Sequence, residues 1–212
     1  MTDLASTKLQ ISTYMDRTMK RAEKRDHLID IAMRLFSRRG FRATGVDQII
    51  EETGIAKTTL YRHFASKEEL IVAALAKADE AARDEMRAYV EQQSSDPRER
   101  LLATFGQLDI WLKDCDFNGC PFVAAAGEFG DASNAVFQQA KMHKRLYLAY
   151  FEELVRAAHV PNPKRIAVQI VLLHEGAIAF AQVLGSDGVA ETARIAAERL
   201  IDAETAGAAP AE

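Results

Sequence analysis

The stretch Thr44–Lys67, TGVDQIIEETGIAKTTLYRHFASK, constrains this chain more than any other. A helix is expected from about Val46 to Thr53. Val46, Ile49 and Ile50 recur there at three and four residues, the spacing of a helix with one buried side. Thr44 stands just ahead of the run, where its hydroxyl is expected to cap the first-turn amides. Gly54 follows it, and Gly takes the left-handed backbone that ends a helix without a Cβ clash. Ile55 is expected to plug the turn. A second helix then runs from about Lys57 to Phe64, with Leu60 and Phe64 four residues apart and facing inward. Ser66 with Glu69 three residues on forms a capping box that opens the next helix.

Two short helices joined by a tight turn holding a Gly match the helix-turn-helix used to read DNA. The outward positions of the second helix agree with that use. Lys57, Thr58, Thr59, Tyr61 and His63 are polar or amphipathic and none is acidic, so they offer donors to phosphates and base edges. Lys67 lies in the first turn of the following helix, where aligned amide dipoles favour an anion. Glu51 and Glu52 close the first helix, away from that surface.

Residues from about Arg25 to Leu75 resemble the DNA-binding domain of the TetR family of bacterial transcriptional regulators. The residues that carry the resemblance are Ile31, Ala32, Leu35, Phe36, Gly40, Phe41, Thr44, Ile49, Gly54, Leu60, Tyr61, His63, Phe64, Lys67, Glu68 and Leu70, in order and without gaps. The resemblance implies that Thr44, Thr59, Tyr61, His63 and Lys67 hold phosphates; Lys57 and Thr58 are better placed for base edges. Ala56 departs from the pattern, since many relatives have a capping Ser there. Further on, CDFNGCPFVAAAGEFGD is similar to a phrase in a branch of the family that carries a Gly-Cys pair. Elsewhere the likeness is one of length and helical character.

Charge is split along the chain. The first 67 residues hold 13 Lys and Arg against 8 Asp and Glu, although the whole chain carries a net charge of −4. A basic head on an acidic body turns one end toward a polyanion. Residues 1 to about 15 read as an arm, and Lys8, Arg17, Lys20, Arg21, Lys24 and Arg25 are available for phosphates or a minor groove. A helix from about Met15 to Arg39, with Leu28, Ile31, Ala32, Leu35 and Phe36 inward and Gly40 as its stop, is expected to buttress the reading helices. Arg42 lies in the link to them.

After Lys67 the pattern predicts a long helix to about Val90. Asp96 and Pro97 then open a helix to about Asp114 whose inner face is Leu101, Leu102, Phe105, Leu108 and Leu112. A short helix from Pro121 to near Gly130 follows. Next come a helix from Asp131 or Ser133 to about His159, one from Lys164 to Leu184 capped by Asn162, and a last one from Val189 to about Ala203. The fold expected is all-α with about nine helices. Residues 1–67 would form an arm and three-helix helix-turn-helix domain, and residues 68–212 a helical effector-binding and dimerisation domain.

The last two helices are the expected homodimer interface. Ala177, Ala181, Ala193 and Ala197 would let helices approach closely, and Leu173, Phe180 and Leu200 would supply buried area. The resemblance implies a two-fold four-helix bundle there; the alternative is that both helices complete the monomer core. A dimer sets two reading helices about one DNA turn apart and so calls for a near-palindromic operator in double-stranded DNA.

For an unknown small-molecule effector, the candidate wall is Phe105, Trp111, Phe122, His143, Tyr147, Tyr150 and His174, aromatic and apolar with a few polar groups. Ordinary core packing is the other account of each. Cys115 and Cys120 read first as buried structural thiols, next as a thiol sensor of redox or electrophilic signals, and last as part of a metal site.

No enzyme motif, cofactor-binding loop or metal cluster is found; the chain has no phosphate-binding Gly-rich loop, Gly-x-Ser-x-Gly or His-Glu-x-x-His. The N-terminus does not read as a signal peptide, no apolar run of membrane-spanning length is recognised, and two cysteines suit a reducing cytoplasm. The function expected is a ligand-responsive DNA-binding regulator, expected to repress. The rivals are a thiol-responsive regulator and a ligand-binding module that has lost operator recognition.

Overall fold

The computed structural model describes residues 20–207, and within them the chain is helical with no strand. The elements are α1 (Arg21–Arg39), α2 (Val46–Thr53), α3 (Lys57–His63), α4 (Lys67–Gln93), α5 (Pro97–Leu112), α6 (Pro121–Glu128), α7 (Ala135–Ala157), α8 (Pro163–Leu184) and α9 (Val189–Gly207). The arm up to residue 15, the start of the expected first helix at Met15, and the tail beyond 207 lie outside the described residues. The chain groups into two units: residues 20–79 with 121–141, and residues 80–120 with 142–207.

In the first unit, α1 presents Leu28, Ile31, Ala32 and Phe36 to α2 and α3, as the periodicity predicts. Phe36 stacks on Phe41 at 5.2 Å between ring centroids, and Ile49, Ile55, Leu60, Phe64, Leu70 and Leu75 complete the core. Fully burying one such side chain contributes about 1.5–3 kcal/mol. Gly54 is left-handed at φ 67° and donates its N–H to the Ile50 carbonyl at 2.9 Å, so α2 stops where the Gly predicts. The Thr53 hydroxyl then accepts the Ile55 N–H at 3.3 Å and holds the turn closed. The α4 start is also as expected, with Ser66 Oγ accepting the Glu69 N–H at 3.1 Å.

Three capping assignments need correction. Gly45, not Thr44, is the residue before α2, and the Gln48 side chain accepts its N–H at 2.9 Å. Thr44 is turned into the core instead, where its hydroxyl donates to the Gly40 carbonyl at 2.7 Å. At α7, Asn134 Oδ1 accepts the Val136 N–H, while Asp131 is occupied by Ser133. Asn162 precedes α8 in a left-handed conformation and caps nothing; its amide donates to Glu204 Oε1 at 2.6 Å, beside Arg165.

In the second unit, α9 packs on both α5 and α8. Leu101, Phe105, Leu108 and Leu112 face Ile166, Ile170 and Ala177 in one core. Ala190, Ala193 and Ala197 belong to the same core, so the small residues of α8 and α9 serve close packing within one protomer rather than between two. The apolar residues left outside differ from those anticipated, Phe180 apart. They are Val168, Leu172, Phe180, Val183 and Leu184 of α8 and Ile195 of α9, with Leu172 63% and Val183 80% exposed.

α8 is also long and apolar enough to cross a membrane by length and composition, contrary to the expectation that no such run exists. The run was hidden because Gln169, His174 and Glu175 interrupt it without lowering its mean hydropathy below 1.6.

Gly119 of the Gly-Cys pair takes a backbone conformation that L side chains rarely adopt. Its φ is +84°, and a Cβ there would collide with the Gln182 side chain, whose amide donates to the Asn118 carbonyl at 3.0 Å.

Candidate nucleic-acid interface and buried polar network

The exposed residues of α3 are Lys57, Thr58, Tyr61 and Arg62, with His63 half-buried behind them. Lys57 and Tyr61 are one turn apart and share a face with Thr58. Ala56 makes no side-chain capping bond, so the helix begins uncapped, as its residue type predicts. Thr59 is buried and sits on the inner side of α3, and Thr44 is buried as described. Neither of these two hydroxyl-bearing side chains is presented to solvent in this conformation.

The surface carries an acid that sequence reasoning overlooked. Lys57 Nζ donates to Asp47 Oδ1 at 2.8 Å, joining the first turn of α2 to the first residue of α3. That hydrogen bond, reinforced by the charge of Asp47, raises the Lys57 pKa above the ordinary lysine value. His63 behaves oppositely: partial burial lowers its pKa, and the positive charges of Arg21, Arg62, Arg25 and Lys24 lower it further. Its Nε2 is buried without a hydrogen-bond partner. The imidazole is thus neutral and ringed by cations, with Nε2 closed to solvent in this conformation.

Lys67 is half-buried at the start of α4 and donates to the Arg42 carbonyl at 3.1 Å. Burial lowers its pKa, with Glu128 acting against that and Arg42 with it. Glu128, the last residue of α6, is the second group the sequence did not reveal. Its carboxylate accepts two consecutive backbone N–H groups, Phe41 at 2.8 Å and Arg42 at 2.6 Å. Its own carbonyl accepts from Arg42 Nε at 2.8 Å, and the Arg42 guanidinium lies 5.1 Å from the Phe129 ring centroid. The link that sets α1 against α2 is thus held by a residue some 87 positions downstream.

Of the expected effector-wall residues, Phe122 is buried in α6 of the first unit. In the second unit Phe105, Tyr147 and His174 come together, with the Phe105 and His174 rings 4.2 Å apart. His143 stacks on Tyr147 at 5.8 Å, Trp111 meets Phe117 edge-on, and Tyr150 lies under the Arg87 guanidinium.

His174 is fully buried and its bonds fix its tautomer. Thr104 gives its one hydroxyl proton to the Leu101 carbonyl at 2.7 Å, so at 3.2 Å it can only accept from His174 Nε2–H. His174 Nδ1 therefore carries the lone pair, and the Tyr147 hydroxyl donates to it at 3.0 Å. Burial pushes the His174 pKa down to about 3 and raises that of Tyr147, so both stay neutral.

Beside this network, Lys144 Nζ donates to Glu175 Oε1 at 2.5 Å and lies 3.4 Å from Cys120 Sγ. Both cysteines are free thiols; Cys115 is exposed and Cys120 half-buried, which corrects the expectation of buried structural thiols. Among the described residues no three metal-ligating side chains come together.

Comparison with known proteins agrees with the helix-turn-helix geometry. The family model "Bacterial regulatory proteins, tetR family" matches residues 28–74, and the model "Tetracyclin repressor-like, C-terminal domain" matches residues 97–197. The HTH-type transcriptional regulator YjdC of Escherichia coli (strain K12) is 24% identical over 178 residues, 84% of this chain and 93% of YjdC. The HTH-type transcriptional regulator LmrA of Bacillus subtilis (strain 168) is 28% identical over 147 residues, 65% of this chain and 74% of LmrA. Among solved structures, SCO4454, a TetR-family transcriptional regulator from Streptomyces coelicolor, superposes with a TM-score of 0.81 at 27% identity, covering 87% of this chain and 97% of SCO4454.

Proposed function

The chain belongs to the TetR family of bacterial transcriptional regulators and is a DNA-binding regulator, and from that premise we propose that it is a homodimeric, cytoplasmic repressor released by a small-molecule effector. The observation that carries this reading is the exposed donor face of α3, with Lys57, Thr58 and Tyr61 presented and His63 and Lys67 behind. Lys57 and Thr58 reach base edges, while Tyr61, His63 and Lys67 hold phosphates. Thr44 and Thr59, buried and with their N–H groups given to the Gly40 and Ala56 carbonyls, contribute by packing.

The outward apolar face of α8 supports the dimer. Val168, Leu172 and Val183 recur along one side of the helix, and a contiguous apolar stripe of this kind marks a protein contact. Two heads then sit about 34–36 Å apart, or a multiple of that, over a near-palindromic site. The effector pocket is assigned to the side chains of the second unit around Phe105, Tyr147 and His174, with Trp111 and His143 as further candidates. The hold of Glu128 on Phe41 and Arg42 gives α6 a direct grip on the reading head. An effector acts only by binding one arrangement of the heads better than the other.

The test is binding of the full-length protein to a duplex it enriches from a random-sequence library, followed by sedimentation. Salt-dependent binding by a dimer is the expected result. A monomer, or a protein that retains no duplex at low salt, refutes it and leaves a ligand-binding module without operator recognition.

One observation favours a second reading, a thiol-responsive regulator: Lys144 lies within reach of the Cys120 sulfur. An α,β-unsaturated carbonyl would add there, with the S–H bond broken, a C–S bond formed and the proton passed to the α-carbon. Cys120→Ser should then abolish release of DNA by such electrophiles, and retained release removes this version.

A further inference from the structure

We propose that Asp47 is a specificity-determining residue of the reading head: its carboxylate keeps Lys57 off the DNA phosphates and so widens the preference for operator over other DNA. The inference rests on α3 being the helix that enters the groove.

The pair is an exposed one. Its hydrogen bond is 2.8 Å long, and the side chains of Lys57 and Asp47 are 56% and 84% exposed. An ion pair so open to water contributes little to folding. It does, however, decide the charge at the leading edge of the head. Lys57 is the first residue of α3, whose first turn contains no acid, and Asp47 is the acid in the first turn of α2. With the pair closed, Lys57 and Asp47 together bring no net charge to a passing phosphate.

The consequence differs for the two kinds of DNA. Random-sequence binding is almost wholly phosphate neutralisation, with a salt slope of about −0.9 per phosphate contacted. Removing Asp47 frees one ammonium per head for that purpose, and the random complex gains all of it. In the operator complex Lys57 is directed at a base edge, where position matters more than charge. That complex gains less, so the ratio between the two falls. Discrimination by making the wrong partner worse is as effective as making the right one better.

The experiment uses full-length protein, a random-sequence duplex, and the duplex enriched by the wild-type protein. Affinities are measured by fluorescence anisotropy over a salt series. Asp47→Asn keeps the shape and removes the charge. It is expected to tighten random-sequence binding about threefold per head at 0.2 M salt relative to wild type, and to steepen the slope by about one unit per head. The operator-to-random ratio should narrow, and adding Lys57→Gln should return the slope to the wild-type value. Lys57→Gln alone should leave the random-sequence slope unchanged while weakening the enriched duplex.

Weaker binding of both duplexes by Asp47→Asn would mean that Asp47 instead presents Lys57 to DNA, and overturns the proposal; so does an unchanged random-sequence slope. If Asp47→Asn does not fold, Lys57→Gln still decides, because a random-sequence slope shallower by about one unit shows Lys57 already on a phosphate. Wild-type protein that binds neither duplex overturns the repressor reading along with this one, which separates the two failures.

Discussion

His174 offers the sharpest test of the second unit, because its protonation state and its packing are locked together. Its neutral form is the one the fold holds, with a pKa of about 3 against 6.5 in the unfolded chain. A base whose folded pKa is depressed contributes full stability above its unfolded pKa and loses it as pH falls toward the folded value. Stability should therefore be flat with respect to this group above pH 6.5 and decline below it. The decline approaches about 1.4 kcal/mol per pH unit, or about 2–3 kcal/mol by pH 4.5.

His174→Phe removes the titration and keeps a ring against Phe105 and Phe151, which lie 4.2 and 4.9 Å away. It also strands the Tyr147 hydroxyl, at a cost of about 1–3 kcal/mol, whereas Thr104 still has the Leu101 carbonyl. Adding Tyr147→Phe removes the stranded group and should recover most of that loss. Guanidinium unfolding followed by circular dichroism, at one fixed protein concentration and from pH 4.5 to 7.5, measures all three proteins. The acid slope of wild type minus that of His174→Phe isolates the histidine from the carboxylates. Equal slopes, or a double variant no more stable than His174→Phe, refute the assigned tautomer and the burial argument together.

Glu128→Gln should cost about 1–2 kcal/mol, since a charged acceptor of two N–H groups becomes a neutral one beside partial solvent. Amide exchange at Phe41 and Arg42 should accelerate, and unchanged protection at both counts against the grip. Leu172→Glu combined with Val183→Glu should convert the dimer to a monomer by sedimentation while the thermal transition of each protomer's core persists; a surviving dimer moves the interface elsewhere. Ala56→Ser should stabilise the reading head by about 1 kcal/mol by supplying the missing cap, measured as a rise in melting temperature. Gly119→Ala should destabilise the second unit through both its positive φ and the Gln182 contact, and equal unfolding midpoints would refute that.

The local elements were legible because local rules govern them. Gly54 ends α2, Ala56 leaves α3 uncapped, and Asp96 with Pro97 opens α5 through its bond to the Glu99 N–H, each within four residues of its cause. The inner faces of α1 and α5 followed from periodicity. The donor set was only partly legible: a period of 3.6 says which residues share a face, but α3 is short and leans on two neighbours, so Thr59 went inward. Thr44 was misassigned because a hydroxyl near a helix start can either accept a first-turn N–H or donate to a nearby carbonyl, and here it donates to that of Gly40.

The amino-acid order by itself determined an all-helical chain with a helix-turn-helix near its start and a polar, acid-free α3, because turn chemistry and apolar spacing act over a few residues. Only tertiary structure decided that Asp47 meets Lys57, that Glu128 holds Phe41 and Arg42, and that His174 lies between Thr104 and Tyr147. These contacts join residues 10, 87 and 70 positions apart. Nothing in the chain's local spacing encodes such meetings; they follow from which helix faces are driven together to exclude water.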